Sequence, residues 1–363
     1  MAVNKTFNVG VLGATGMVGQ RFISLLDAHP WFRVTKVAAS TRSAGRSYRE
    51  AVGERWTMPA PIPERIAGAT VLDASNVDAI ASDVDFVFCA VDMTKDETRA
   101  LEDAYALAET PLISNNSAHR ATPDVPMMVP EINPEHAELI VAQRKRLGTK
   151  RGFVAVKPNC SLQSYVPVIH PLREFGPNKV VVATYQALSG AGKTLETWPE
   201  MGDNVIPYIG GEEEKSQNEP MKIWGRVENG KVAPATRPAI VAHCIRVPVS
   251  DGHLAAVSLG LDKKPPRDEI IARWRAYAGR PQELNLPSAP KPFLVYFDED
   301  NRPQTRLDRD AGNGMAVTIG RLRDDPLFDY RFVALSHNTV RGAAGGAILT
   351  AELLVADGYI AVA

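Results

Sequence analysis

An α/β fold of two domains is predicted by three observations. The chain has 363 residues, more than one ordinary hydrophobic core accommodates. A short apolar run, Phe7 to Leu12, leads at once into a glycine-rich turn and an apolar helical segment, "GATGMVGQRFISLLDAHP". Further strand-like runs then recur between helical stretches, the alternation that builds a parallel sheet.

Composition narrows the class. Apolar residues make up 45% and charged residues 23%, as in soluble globular proteins. A net charge of −1 provides no basic field for nucleic acid and no polybasic membrane patch. No apolar run reaches the roughly 18 to 20 residues of a membrane helix. The N-terminal residues run straight into strand-like sequence, so no signal peptide is expected. Three widely spaced cysteines do not form a disulfide framework. A reduced, cytoplasmic protein without a metal site is the expectation.

The first half reads as a nucleotide-binding domain. Gly13, Gly16 and Gly19 form G-x-x-G-x-x-G between the strand and the helix. Such glycines allow a tight turn and a close backbone approach to a pyrophosphate, with helix N–H groups aimed at the anion. The arrangement predicts a Rossmann-type domain. The second strand, "FRVTKVAAS", ends where an NAD site usually carries a carboxylate. Here Ser40, Thr41, Arg42 and Ser43 supply hydroxyls and a guanidinium instead, which suits the 2′-phosphate of NADP. A solvated polar loop is the alternative. "VDFVFCAV" reads as a buried parallel strand, with Cys89 as a small core residue. "PLISNNSAHR" reads as another strand with a polar end, which brings Arg120 to a plausible anion position.

The second half carries the chemistry. "RGFVAVKPNCSLQS" is strand-like to Val156, breaks at Lys157, Pro158 and Asn159, and can start a helix at Cys160. A thiol at a helix N-terminus is expected to lose its proton more easily. Cys244 lies in an alternating strand pattern, "AIVAHCIRVPVS", and reads as packing. A nucleophilic thiol needs a base, and His253 at a turn exit is the best placed of seven histidines. Arg246 lies on the preceding strand and suits a bidentate grip on a carboxylate. Taken alone, a single histidine and a single arginine more often have surface or structural roles. "GAGKT" mimics the end of a P-loop, but Ala187 stands where the first glycine is required. "GGEEEKSQNEPMKIW" reads as an acidic helix start, stabilised by the dipole.

Together the segments "GVLGATGMVGQRF", "ASTRSAG", "SNNSAHR", "VPEIN", "KPNCS", "TYQALSGAGK", "NVIPYIGGEEEKSQNEPMKI", "RVPVSDGHL" and "HNTVRGAAGGAILTAELL" resemble the aspartate-semialdehyde dehydrogenase family, in order and over nearly the whole chain. The close spacing of "NVIPY" and "IGGEEEK" is most similar to its fungal and archaeal branch. The resemblance implies a Rossmann-type NADP-binding domain, residues 1–157 with 338–363, and an α+β catalytic and dimerisation domain, residues 158–337. A C-terminal helix confined to the second domain is the alternative. It also implies a homodimer or homotetramer.

The implied roles follow position by position. Cys160 is the nucleophile, with Asn159 beside it. Gln186 orients the acyl group, and His253 is the acid/base. Arg246 clasps the substrate α-carboxylate. Glu212 meets the α-ammonium, with Glu213, Glu214 and Glu219 as competing choices. Lys215 and Arg120 bind phosphate. Gly13, Thr15, Gly16, Met17, Val18 and Gly19, with Ser40 to Ser43, hold NADP, and Ser189, Gly190 and Asn338 lie on its nicotinamide side. The implied reaction is the NADPH-dependent conversion of L-4-aspartyl phosphate to L-aspartate 4-semialdehyde and phosphate through a Cys160 thioester. A malonyl-CoA reductase-type enzyme uses the same thiol without an ammonium to recognise, and "EEEK" argues against it. A glyceraldehyde-phosphate dehydrogenase is disfavoured by the long Cys160–His253 separation. An inactive NADP-binding protein is the remaining alternative.

Overall fold

A computed structural model describes residues 6–362. Six short strands form the first sheet: β1 (Phe7–Leu12), β2 (Phe32–Ala39), β3 (Val71–Asp73), β4 (Phe86–Cys89), β5 (Leu112–Ser114) and β6 (Val154–Val156). All pair in parallel, in the order β3-β2-β1-β4-β5-β6. The strand order reverses at β1, so a crevice opens outside the carboxyl ends of β1 and β4, where doubly wound sheets bind ligands. Buried apolar runs such as "FVFC" of β4 fit a sheet covered on both faces.

The glycine turn sits at that crevice. Gly13 has φ +78°, and a β-carbon there would stand 2.2 Å from the Ala90 carbonyl oxygen. A β-carbon on Gly19 would stand 2.1 Å from the Gly13 carbonyl oxygen. The turn therefore packs directly on the end of β4 and on the helix Met17–Leu26, as only glycine permits.

The second sheet contains β7 (Pro177–Gln186), β10 (Ala239–Arg246), β11 (His253–Leu261), β12 (Leu294–Tyr296), β13 (Val317–Asp324) and β14 (Tyr330–Ser336), while β8 (Arg226–Glu228) and β9 (Lys231–Ala233) form a separate hairpin. Its order is β10-β7-β11-β14-β13-β12, with mixed directions. The expected strand–turn–strand around Asp251 is present, but β10 and β11 are not partners, because β7 lies between them. One face of this sheet packs on the segment Ser161–Phe175 and on the helices Glu212–Ile223 and Arg267–Ala276. The other face leaves Val181, Tyr185 and Val241 exposed.

The C-terminal helix Gly345–Ala356 is buried nearly all round and shares a core with Val9, Phe22, Phe88 and Ile113 of the first sheet and its helix. Just before it, Arg341 makes two hydrogen bonds, of 2.6 and 2.5 Å, to the carboxylate of Glu131 in "VPEIN". Both side chains are almost wholly buried. Removing one member leaves the other charge unpaired in the interior. Glu131→Ala is therefore expected to cost about 3–5 kcal/mol of stability, measured as a drop in urea midpoint at unchanged slope.

Candidate active site

Strand directions bring the site together. β7 and β10 run parallel and end in register, with Gln186 opposite Arg246. β11 runs antiparallel to β7, so its first residue, His253, starts at the same end. β14 finishes there too, with Ser336 opposite His253, and its continuation delivers Asn338. From the first sheet, β6 ends in the loop that carries Lys157, Asn159 and Cys160. Four strand ends of one sheet thus face one strand end of the other.

Cys160 is the one cysteine that keeps some solvent access; Cys89 and Cys244 are buried. Its Sγ lies 3.4 Å from His253 Nε2. The other ring nitrogen, Nδ1, accepts the Ala187 backbone N–H at 3.0 Å. A neutral imidazole that accepts at Nδ1 carries its proton on Nε2, so it presents a donor to the sulfur. Burial, followed by the charge of Arg246, lowers the His253 pKa to about 3. The ring is a neutral donor in this pocket and does not form an imidazolium–thiolate pair with Cys160.

The thiol itself corrects one expectation. Burial, and next the charge of Glu212, push Cys160 up to about 11, against the help of Lys157, Arg120 and Arg246. The helix that follows is a 3-10 turn of only four residues, Ser161–Ser164. So short an element has too small a dipole to offset desolvation. The resting state is a thiol.

The acidic helix Glu212–Ile223 turns two of its four candidate carboxylates inward. Glu212 and Glu219 are buried, Glu214 is exposed, and the half-exposed Glu213 accepts the Cys244 N–H at 3.4 Å. Asn159 joins the inward pair. Its Nδ2 donates to both Glu212 oxygens at 2.9 and 3.0 Å, and its backbone N–H donates to Glu219 at 2.6 Å. Gln186 donates to Glu212 at 3.2 Å, and Lys215 does so at 2.8 Å. Burial would raise the Glu212 pKa, but Lys215, Asn159 and Gln186 together leave it lowered, so the carboxylate is charged. Arg120 pairs with Glu219 at 3.0 Å and also donates to the Asn115 carbonyl.

Arg246 donates to the Ala187 carbonyl at 2.6 Å and forms no ion pair among the described residues. A β-carbon on Gly190 would lie 3.1 Å from His253 Nε2 and 3.2 Å from Arg246 Nη1, so the Gly190 backbone covers both groups closely. Asn338 bonds the Ser189 hydroxyl and the Gly252 N–H, each at 2.8 Å, and ties that loop to the turn before His253.

The glycine crevice leaves its helix N-terminus open to an anion. Gly16 caps the ten-residue helix Met17–Leu26 without any side-chain cap, which leaves amides of its first turn for an anion. Thr15 is nearly buried in the turn. Beyond β2, Ser40, Thr41 and Arg42 are exposed and Arg42 has no ion pair among the described residues, whereas Ser43 turns inward. Asp73 of β3 pairs with Ala39, but it accepts bonds from Ser75 within its own turn. The loop is therefore cationic, as a 2′-phosphate requires.

Sequence reasoning did not find Lys157, buried two residues before Asn159, nor the Ala187 backbone that fixes the imidazole. The lysine stands in the quoted "KPNCS" and was visible there. A backbone donor has no residue-type signal.

Comparisons with known proteins agree with this geometry. Residues 8–140 match the family model described as semialdehyde dehydrogenase, NAD binding domain, and residues 169–341 match semialdehyde dehydrogenase, dimerisation domain. The aspartate-semialdehyde dehydrogenase of Methanothermobacter thermautotrophicus is 44% identical over 350 residues, covering 96% of this chain and 98% of that protein. That of Aspergillus fumigatus is 43% identical over 360 residues, covering 97% and 98%. The crystal structure of the Candida albicans enzyme with NADP superposes with a TM-score of 0.87 at 37% identity, covering 98% of this chain and all of that one. Both the archaeal and the fungal likenesses are thus present.

The buried imidazoles set a pH dependence. Burial is the chief cause that lowers His136, His170, His253 and His337, with His170 and His337 near 4. Their ordinary value is about 6.5. Below it the unfolded chain takes up protons that the folded chain refuses, so stability falls as pH falls through this window. Burial raises Glu102 to about 7 and also raises Glu135, and these two carboxyls act in the opposite sense against four imidazoles. The melting temperature is expected to drop between about pH 7 and about pH 5; a rise over that range in a thermal melt would refute the assignment of neutral buried histidines.

Proposed function

This chain belongs to the aspartate-semialdehyde dehydrogenase family, and we propose that it converts L-4-aspartyl phosphate to L-aspartate 4-semialdehyde with release of phosphate, using NADPH. The observation that carries this reading is the convergence of Cys160 Sγ with His253 Nε2 at 3.4 Å, beside the buried Gln186, Arg246 and Glu212. One soft nucleophile, one neutral donor, one free guanidinium and one charged carboxylate match an acyl phosphate that bears an α-carboxylate and an α-ammonium.

Each residue has a chemical task. Arg246 clasps the carboxylate as a planar fork, Glu212 meets the ammonium, and Lys215 with Arg120 binds the phosphate. Asn159 steadies the loop that aims the thiol. The Cys160 S–H passes its proton to the departing phosphate as the sulfur attacks the acyl carbon, the C–O bond to phosphate breaks, and a thioester remains. When bound, NADPH supplies the hydride that reduces this acyl group. The Nε2–H of His253, with Gln186, stabilises negative charge as it develops on the acyl oxygen. Collapse of the tetrahedral adduct restores the C=O bond and returns the sulfur as thiolate. A neutral donor suffices throughout, which agrees with the fixed tautomer.

Gly13, Thr15, Gly16, Met17, Val18 and Gly19 hold the pyrophosphate of the cofactor. Ser40, Thr41, Arg42 and Ser43 receive the 2′-phosphate, with Arg42 the principal ligand, and Ser189, Gly190 and Asn338 serve the nicotinamide side. The cofactor domain is residues 1–157 with 338–363, of which 1–5 and 363 lie outside the described residues, and the shared core of the C-terminal helix with β1 and β4 supports this division. Residues 158–337 form the catalytic domain. Its open sheet face, bearing Val181, Tyr185 and Val241, supports a homodimer, and two such dimers give the tetrameric form. Among the described residues no helix is long and apolar enough to cross a membrane, and the cytoplasm is the proposed location.

NADP⁺ reduction by L-aspartate semialdehyde is expected to require inorganic phosphate and to vanish in Cys160→Ser. Native protein that is silent here but oxidises NADPH with malonyl-CoA would move the substrate to a CoA thioester.

Arg42→Ala is expected to raise the Kd for NADP by about 1–3 kcal/mol, as loss of a charge-assisted pair should, while leaving NAD nearly unmoved. Equal losses for the two cofactors in a binding titration would remove Arg42 from the 2′-phosphate.

A further inference from the structure

Cys160 and His253 are each backed by the main chain of a glycine. A β-carbon on Gly342 would stand 2.9 Å from Cys160 Cβ, and 3.4 Å from its Cα and its carbonyl oxygen. A β-carbon on Gly190 would stand 3.1 Å from both Cε1 and Nε2 of His253. Gly190 lies in the loop after β7, whereas Gly342 lies between β14 and the C-terminal helix.

Gly342 does not sit at positive φ, so its backbone conformation does not itself demand glycine. What excludes a side chain there is Cys160. The atoms that a β-carbon would strike are the Cβ and main chain of that cysteine. They cannot swing aside as the end of a long side chain can, and a close-packed interior passes the displacement on.

The segment that carries Gly342 is itself fixed. The Gly342 N–H donates to the His337 carbonyl, five residues back, at 2.9 Å, and the Ala344 N–H donates to that of Thr339 at 3.1 Å. Bonding of this kind occurs mostly as single turns, often at functional sites. The neighbouring Arg341 is held in its buried pair with Glu131. Four residues before Gly342, Asn338 donates to the Ser189 hydroxyl, beside Gly190, and accepts the Gly252 N–H, beside His253, each at 2.8 Å. Ser336 stands opposite His253 across β11 and β14. One stretch of chain thus touches Cys160 at one end and fixes the surroundings of His253 at the other.

We propose that Gly342 is a positioning residue for Cys160: its bare backbone lets the thiol sit back against the turn Val340–Ala344, at the 3.4 Å from His253 Nε2 that the chemistry uses. The inference rests on the reading of Cys160 as the nucleophile and His253 as its partner.

The test compares Gly342→Ala with Gly345→Ala. Gly345 belongs to the same segment and is also crowded, but by the Met315 sulfur, 2.6 Å from its added β-carbon, and by Val340. Gly342→Ala is expected to lower kcat by about tenfold or more, because it misplaces a reacting atom, with KM for L-aspartate semialdehyde and Kd for NADP within about twofold of native. Gly345→Ala is expected to keep its kcat. An unchanged kcat in Gly342→Ala, or equal losses in the two variants, would overturn the proposal.

A double-mutant cycle on thermal melting tests the contact without substrate or cofactor. Cys160→Gly removes the β-carbon that the new methyl group would strike. Gly342→Ala is therefore expected to lower Tm less in the Cys160→Gly background than in the native chain. Additive effects would count decisively against the contact. If Gly342→Ala alone does not melt cooperatively, the double variant is expected to do so; its failure, with Cys160→Gly folded, would overturn the proposal too. The cycle needs no turnover, so additivity counts against Gly342 alone, whereas absent phosphate-dependent turnover in the native protein counts against the proposed activity.

Discussion

The carboxylate bridge at Asn159 is the interaction on which the site depends. Asn159 is anchored by its backbone to Glu219 and by its amide to Glu212, and its own Oδ1 accepts the N–H and hydroxyl of Ser161. The residue lies at the end of a strand of the first sheet, while both carboxylates come from a helix packed on the second. One residue thus fixes Cys160, the proposed nucleophile one position further on, relative to the side chains of the acidic helix. Glu212 and Glu219 are seven residues apart, close to two helical turns, so both reach the same loop from one face. A residue offering two amide donors, a backbone N–H and an acceptor within this small volume has few substitutes. Aspartate would bring a third anion against two existing ones.

Around that bridge the pocket is desolvated, and desolvation decides the protonation states. It leaves the thiol protonated and the imidazole neutral at rest. It also strengthens each remaining charge, because little water screens it. Backbone groups do the fine positioning. The N–H of Ala187 holds His253 and its carbonyl holds Arg246, so one residue just past the end of β7 orients both the donor and the proposed carboxylate clamp. The Gly190 backbone closes over the same two side chains, where any β-carbon would crowd them.

Much of this was legible before the fold was seen. The strand Phe7–Leu12, the glycine turn and the buried "FVFC" strand follow from periodicity and turn chemistry, and the structure has them where the sequence indicates. Cys160 at a strand-to-helix junction, with Cys89 and Cys244 as packing residues, is also as read. What the sequence does not carry is three-dimensional adjacency. Nothing in "RVPVSDGHL" reveals that β7 inserts between the strands on either side of the turn. Nothing in "CSLQS" reveals that the helix closes as a single 3-10 turn, or that burial and the charge of Glu212 reverse the expected effect on the thiol. The fourfold choice in "EEEK" narrows only when the helix is packed and Glu212 and Glu219 turn inward. Long, periodic, apolar elements declare themselves, whereas the electrostatic balance of a pocket depends on which groups lose water together.

That balance gives the acidic helix a part in selectivity as well as in architecture. Among charged neighbours Glu212 is the one that most opposes ionisation of Cys160. Lys215 offsets it only in part, because that ammonium is still about one-third exposed to screening water. On the proposed assignment, the α-ammonium of the substrate arrives beside Glu212 and cancels its field at the sulfur. A ligand with the same acyl group but no ammonium leaves the anion uncompensated and the thiol protonated. Recognition of the amine and activation of the nucleophile then become one electrostatic event. Binding energy spent at the ammonium is recovered as reactivity at sulfur, which is what complementarity to a transition state requires.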